Sequence, residues 1–242
     1  MKPVLAIGNL NYSSWSLRAW LSMRFAKIDF DELLIDLDQP GYGEARIAQV
    51  LAVSPSGRVP ALKVGEEQIW DTIGIAMWAL EQASSRGQQA NLLPASQASR
   101  NLMWSVIGEM HSGFAALRRE LTMNLIRRCQ AYGLSKEALA DIERVDQLWR
   151  QCREGHANAG PYLFGTRSLA DAFFVPVATR FRTYKIALSA SAQSYADCLL
   201  SDPDFRVWED RVLAGPAPSF SRANHDHVYA DPAPADSATR CV

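Results

Sequence analysis

Three short stretches carry residue types that could do chemistry together. The first is Ser54-Pro55-Ser56-Gly57-Arg58-Val59-Pro60, which runs straight into the apolar pair Ala61-Leu62. Proline lacks an N–H and fixes φ, so Pro60 can enter a strand only at its first residue, and a cis Val59-Pro60 bond would suit a sharp turn. That leaves the Val59 N–H and C=O free at a strand mouth, where an extended, peptide-like ligand can pair with them. The plainer reading is a connecting turn and nothing more. The second stretch, Ser13-Ser14-Trp15-Ser16, opens a helix. Serine before a helix usually caps exposed N–H groups, and the aligned peptide dipoles favour negative charge at the same place. Either Ser13 or Ser14 can be that cap. The third, Asp71-Thr72, stands at another helix start, with oxygen-bearing side chains beside N–H groups that have no partner within the helix.

Elements around these residues must hold them in place. Residues 4–7 read as a buried strand and 8–12 as the loop leaving its carboxyl end, with a helix following to Ala26. Alternation of Leu33, Ile35 and Leu37 with Glu32, Leu34 and Asp36 predicts a second strand over 30–37. A loop at Pro40-Gly41-Tyr42-Gly43 and a short helix over 44–51 lead to the proline turn. Strands over 61–64 and 68–70 then form a hairpin across Gly65-Glu66-Glu67, and Ile73, Ala76, Met77 and Leu80 give helical spacing over 73–81. The order β-α-β-α-β-β-α predicts a mixed sheet with packed helices, an α/β unit.

A polar break beginning at Ser84 marks a boundary, and strand signals stop beyond it. The expected division is a first domain over 1–83, a linker over 84–95, an all-helical domain over 96–214 and an extended tail over 215–242. The spacing predicts one long helix over 97–127 with two apolar stripes: Leu102, Val106, Met110, Gly113, Leu117 and Leu121 on one, Trp104, Ile107, His111 and Phe114 on the other. A helix apolar on two sides needs cover on both, so Trp104, Ile107 and Phe114 are expected to stay partly exposed in a monomer. Further helices are expected over 136–153, from Ser168, and at about 192–200 and 204–213. Ser168-Leu169-Ala170-Asp171 reads as a capping box, and Pro176 inside that helix should remove one backbone bond and bend it.

Composition narrows the function. The chain has 242 residues, 48% of them apolar and 21% charged, with a formal net charge of −1. That balance fits one or two folded domains and argues against a nucleic-acid partner, which a basic excess would attract. The amino terminus is too short in apolar residues for a signal segment and no apolar run reaches 18, so a cytoplasmic protein without membrane association is expected. Cys129, Cys152, Cys198 and Cys241 are widely spaced, which disfavours a disulfide framework or a thiolate metal site. His225-Asp226-His227 holds ligand types but only in the tail, so no metal is expected.

Four features in this order resemble the glutathione S-transferase superfamily, over roughly residues 1–215. Ser13-Ser14-Trp15-Ser16-Leu17-Arg18 is similar to the serine motif of the zeta and tau-like classes, Val59-Pro60 to the family's cis-proline, Asp71-Thr72 to its acidic-serine pair, and Ser168 to Asp171 to the capping box of its sixth helix. Trp15 stands where the zeta segment has cysteine, and Thr72 where serine is usual. The resemblance implies a thioredoxin-like first domain followed by a helical bundle, and glutathione as co-substrate. Ser13 would then meet the sulfur, lowering a thiol pKa of about 8.5 so that the thiolate forms at neutral pH. Ser14 is the competitor for that place. Val59 before Pro60 would pair with the cysteinyl backbone, Asp71 and Thr72 would hold the γ-glutamyl end, and Arg58 could reach the glycyl carboxylate. Arg18 is expected to be structural. A cleft lined by Tyr12, Trp104, His111, Phe114 and Arg118 would take an apolar electrophilic small molecule. The implied activity is that of a transferase in detoxification chemistry; a glutathione-dependent isomerase and a non-catalytic binding module of the same fold are the alternatives. Family members are commonly twofold dimers, so a homodimer is expected.

Overall fold

The computed structural model describes residues 2–37, 39, 41, 44, 46–87, 92–215 and 240–241, which fall into two compact units, Met1–Leu93 and Pro94–Val242. The first unit contains β1 (Val4–Ile7), α1 (Ser14–Phe25), β2 (Asp31–Leu34), α2 (Ala48–Leu51), β3 (Ala61–Val64), β4 (Glu67–Ile69) and α3 (Thr72–Ser85). Its sheet has the order β2-β1-β3-β4. β1 runs parallel to β2 with Val4 opposite Asp31, and antiparallel to β3 with Ala6 opposite Ala61. This is a mixed sheet of thioredoxin-like type.

Pleating divides β1 between two faces. Ala6 packs with Ala61, Ile35, Ile47 and Val50, so α2 covers one face, and Leu37, Val53 and Val59 border that cluster. Leu5 and Ile7 point to the other face and are fully buried. There α1 packs against α3. The second strand is shorter than the alternation over 30–37 implies. Its ladder to β1 closes with the Ile35 N–H donating to the Ile7 carbonyl at 2.8 Å, because β1 itself ends there. Leu33 and Leu34 are both exposed on this sheet edge.

The second unit contains α4 (Gln97–Ser112), α5 (Ala115–Glu120), α6 (Lys136–Glu154), α7 (Leu169–Thr183), α8 (Ala190–Ser201) and α9 (Pro203–Ala214). Two two-residue strands also pair in it: β5 (Gln130–Ala131) runs parallel to β6 (Arg240–Cys241), an exception to the expected absence of strands. At the centre is α7, whose residues from Leu169 to Phe181 are all buried, Pro176 among them. Trp149 of α6 meets Phe174, Phe181 and Tyr195 edge-on at 5.0–5.7 Å, the geometry that ring quadrupoles favour.

The long helix expected over 97–127 is two helices. α4 stops at Ser112, Gly113 is extended, and Phe114 turns left-handed at φ 57°. Arg118 returns across the break, its Nη2 donating to the Met110 carbonyl and, at 2.8 Å, to that of His111, so it closes two of the carbonyls that a helix end leaves open. Beyond α5, Asn124 Oδ1 accepts the Ile126 and Arg127 N–H groups, a side-chain turn that periodicity cannot reveal. The two-stripe expectation changes accordingly. α4 buries a single stripe, Met103, Val106, Ile107 and Met110. Ile107 and Phe114 are 1% and 6% exposed, and only Trp104 of the three expected exposed residues is partly so.

The capping box at the start of α7 is formed. The Ser168 N–H donates to Asp171 Oδ2 at 2.7 Å and the Ser168 hydroxyl donates to the same oxygen at 3.1 Å. Asp171 Oδ1 accepts the Leu163 N–H at 3.2 Å and the Tyr195 hydroxyl at 2.8 Å, so a fully buried carboxyl gathers four donors from three segments. Cys152 and Cys198 are free thiols, both pushed up to about 11 mainly by burial, and Cys129 is disulfide-bonded although the spacing disfavours a framework.

Candidate functional site

Three helix or strand ends of the first unit hold the residues expected to do chemistry. Val59-Pro60 is cis, and β3 begins directly after it at Ala61. Pro60 is buried, Val59 half-buried and Arg58 exposed. Neither the Val59 N–H nor its C=O makes a hydrogen bond with any described residue. The left-handed Gly57, at φ 64°, closes the preceding turn by donating its N–H to the Ser54 carbonyl at 3.0 Å.

Ser13 is the N-cap of α1. Its Oγ accepts the Ser16 N–H at 3.3 Å, and its hydroxyl donates to Ser16 Oγ at 2.8 Å. Ser14 is the first helical residue and is buried, so the cap position falls to Ser13. Ser16 was not singled out from the sequence, and it ties the site together. Its Oγ also accepts the Gly8 N–H at 3.0 Å, fastening the end of β1 to the start of α1. The signal for it was the Ser-x-x-Ser spacing of the N-cap and the third helical residue. Gly8 in turn lies against the proline turn. A methyl there would stand 2.6 Å from Leu37 Cδ1 and 3.2 Å from Val59 Cγ2, so any side chain at this position would displace both neighbours. Gly8 is therefore linked to Ser13 through Ser16 and borders Val59.

Asp71 is the N-cap of α3 and exposed, accepting the Ile73 N–H at 3.0 Å. Thr72 behind it is fully buried, and its Oγ1 has no hydrogen-bond partner among the described residues. Arg18 lies fully buried with its guanidinium 4.9 Å from the Trp15 ring centre, a cation–π contact that anchors the first turn of α1. Tyr12 is in the turn before α1, half-buried.

The remaining expected cleft residues belong to the second unit. Trp104 and His111 are half-buried on α4, and Phe114 is buried at the α4–α5 break. Arg118 donates to carbonyls at the end of α4, and burial holds its guanidinium below the usual arginine range. Among the described residues there is no group of three or more His, Cys, Asp and Glu suited to a metal, and no helix long and apolar enough to cross a membrane. His225-Asp226-His227 lies outside the described residues.

The fold and this arrangement define a thioredoxin-like domain followed by a helical one, and comparison with known proteins agrees. Residues 12–82 match the family model of the glutathione S-transferase N-terminal domain. The chain is 25% identical over 194 residues to glutathione S-transferase 3 of Zea mays, covering 78% of this chain and 80% of that one. It is 27% identical over 211 residues to maleylacetoacetate isomerase of Pseudomonas aeruginosa, covering 80% and 90%. A glutathione transferase homologue from Burkholderia, solved with glutathione bound, superposes with a TM-score of 0.65 at 18% identity, covering 89% of this chain and all of that one. Residues 12–82 thus match a glutathione S-transferase N-terminal domain, and the chain as a whole is similar to glutathione S-transferases in sequence and in fold.

Proposed function

We propose that this protein is a glutathione transferase: it holds glutathione on its first unit and activates the thiol for attack on an electrophilic small molecule. The observation that carries the reading is that Gly8 is linked through Ser16 to Ser13, a hydroxyl at a helix N-terminus, and borders Val59, whose backbone groups are free before a cis-proline. Val59 would pair with the cysteinyl backbone in the manner of an added strand. That pairing directs the sulfur toward the start of α1, where the Ser13 hydroxyl and the helix dipole both favour a thiolate. Asp71 and Thr72, at the start of α3, would receive the γ-glutamyl end. Arg58, exposed beside Val59, suits the glycyl carboxylate.

Isomerisation is the second reading, favoured by the likeness to maleylacetoacetate isomerase. The same thiolate would add to a conjugated cis-enone, allow rotation about the former double bond, and leave again. A panel that includes haloaromatic compounds, epoxides and a cis-enone separates the two. Stable conjugates with the first groups are expected; turnover of the enone alone, with glutathione unconsumed, would transfer the assignment to isomerisation. A protein that binds glutathione but turns over nothing in the panel would be a binding module.

A homodimer belongs to the same proposal. Trp70 and Met77 of the first unit are 46% and 48% exposed, and Leu102 and Leu139 of the second are 41% and 53% exposed, apolar surface of the kind interfaces cover. Sedimentation equilibrium at micromolar concentration should give twice the 26.8 kDa of one chain. A mass of one chain would reject the dimer.

A further inference from the structure

Ser16 is fully buried, and its Oγ accepts two hydrogen bonds, from the Gly8 N–H at 3.0 Å and from the Ser13 hydroxyl at 2.8 Å. Those two bonds occupy both of its lone pairs, and its own proton has no acceptor among the described residues. Turning both hydroxyls about their C–O bonds, with no movement of an oxygen, resolves this. The Gly8 N–H still donates to Ser16 Oγ, the Ser16 hydroxyl now donates to Ser13 Oγ, and the Ser16 N–H keeps its own bond to Ser13 Oγ at 3.3 Å. Both lone pairs of Ser13 are then filled from within the chain. Its proton has only one direction left, outward from the helix start.

We infer that Ser16 is a positioning residue that converts Ser13 into a one-way donor toward the glutathione sulfur, through the chain Gly8 N–H to Ser16 to Ser13. The inference rests on Ser13 being the group that meets the sulfur. Without a thiolate, Ser13 turns its proton inward to Ser16. With a thiolate present, the stronger charge-assisted bond outward reverses both hydroxyls. A hydroxyl that already accepts bonds is polarised and donates more strongly, by roughly 10–30% per bond in such chains. Gly8 contributes a donor that cannot rotate, which fixes the sense of the chain at its inner end.

Titration of glutathione bound to the full-length protein, followed by the ultraviolet absorbance of the thiolate, tests this with Ser16→Ala, Ser13→Ala and the double variant. Removing the Ser16 hydroxyl should raise the bound thiol's pKa by about half a unit and lower turnover about threefold, and should have no further effect once Ser13 is alanine. If Ser13→Ala shifts the titration and Ser16→Ala leaves it at the wild-type value, the relay is wrong while Ser13 keeps its role. An unchanged titration in Ser13→Ala would overturn that role and the relay with it. Should Ser16→Ala not fold, Ser16→Cys keeps the volume with a far weaker donor and is read against the same two outcomes.

Discussion

Replacing Ser13 by alanine is expected to lower turnover with glutathione about 10- to 100-fold and to leave the KM for glutathione within a few-fold. The magnitude follows from the bond being lost. A hydrogen bond to an ionised partner contributes roughly 1.5–3 kcal/mol, and each 1.4 kcal/mol or so is a factor of ten in rate. The split between kcat and KM follows from timing, because the bond strengthens as charge develops on sulfur and is weak while the thiol is neutral. The same substitution removes the N-cap of α1 and leaves the Ser16 N–H without its acceptor, costing about 1 kcal/mol of stability. Kinetics are therefore compared at a temperature where wild type and variant are both folded. Ser14→Ala is the companion measurement: Ser14 is inside the helix, so its replacement should alter turnover far less. A large loss in Ser14→Ala with near-normal Ser13→Ala would exchange the two roles.

The largest effect on folding is expected at Asp171. Alanine there leaves the Ser168 N–H and hydroxyl, the Leu163 N–H and the Tyr195 hydroxyl without their acceptor in a fully buried site. Orphaned buried donors cost about 1–3 kcal/mol each, and the costs overlap because the segment can relax, so a loss of at least about 3 kcal/mol is expected. A urea midpoint equal to wild type would refute this account of the α7 start. Asparagine at the same position tests charge separately. Burial pushes the Asp171 carboxyl up to about 6, against the pull of its four donors. Its ordinary value is about 3.9, so the native state holds the proton more tightly than the unfolded chain does. The contribution of this proton to stability is therefore full below about pH 4 and is lost as pH rises through about 6. When the carboxyl is protonated, the Ser168 hydroxyl can turn to accept from it. The stability advantage of wild type over Asp171→Asn should shrink between pH 4 and pH 7; an advantage that grows over that interval would contradict the shift.

Much of the first unit was legible because its signals are local. Val59-Pro60 announces a turn at a strand mouth by ring chemistry alone, and Ser13 and Asp71 each precede a helix that begins at the next residue, as Ser168 does in the second unit. What was not legible depends on contacts distant in sequence. Gly113 sits inside an unbroken apolar period, and only the left-handed Phe114 and the return of Arg118 onto the Met110 and His111 carbonyls reveal that the helix stops. The alternation from Leu33 to Leu37 suggests a longer strand than exists, since β2 can pair only where β1 still runs beside it. Ser16 looked like one more small residue in the first turn of a helix, and its importance appears once Gly8 and Ser13 are seen to meet on its oxygen. The choice between Ser13 and Ser14 as cap was likewise open in the sequence, where both are equally good acceptors.

The central claim is that this chain makes glutathione a thiolate at neutral pH. The direct test is the thiolate absorbance of glutathione bound to the wild-type protein, followed across pH 5 to 9 beside free glutathione. The account predicts a midpoint at least one unit below the value of about 8.5 for a free thiol, moving back toward it in Ser13→Ala. A bound thiol that titrates with the free one would contradict it.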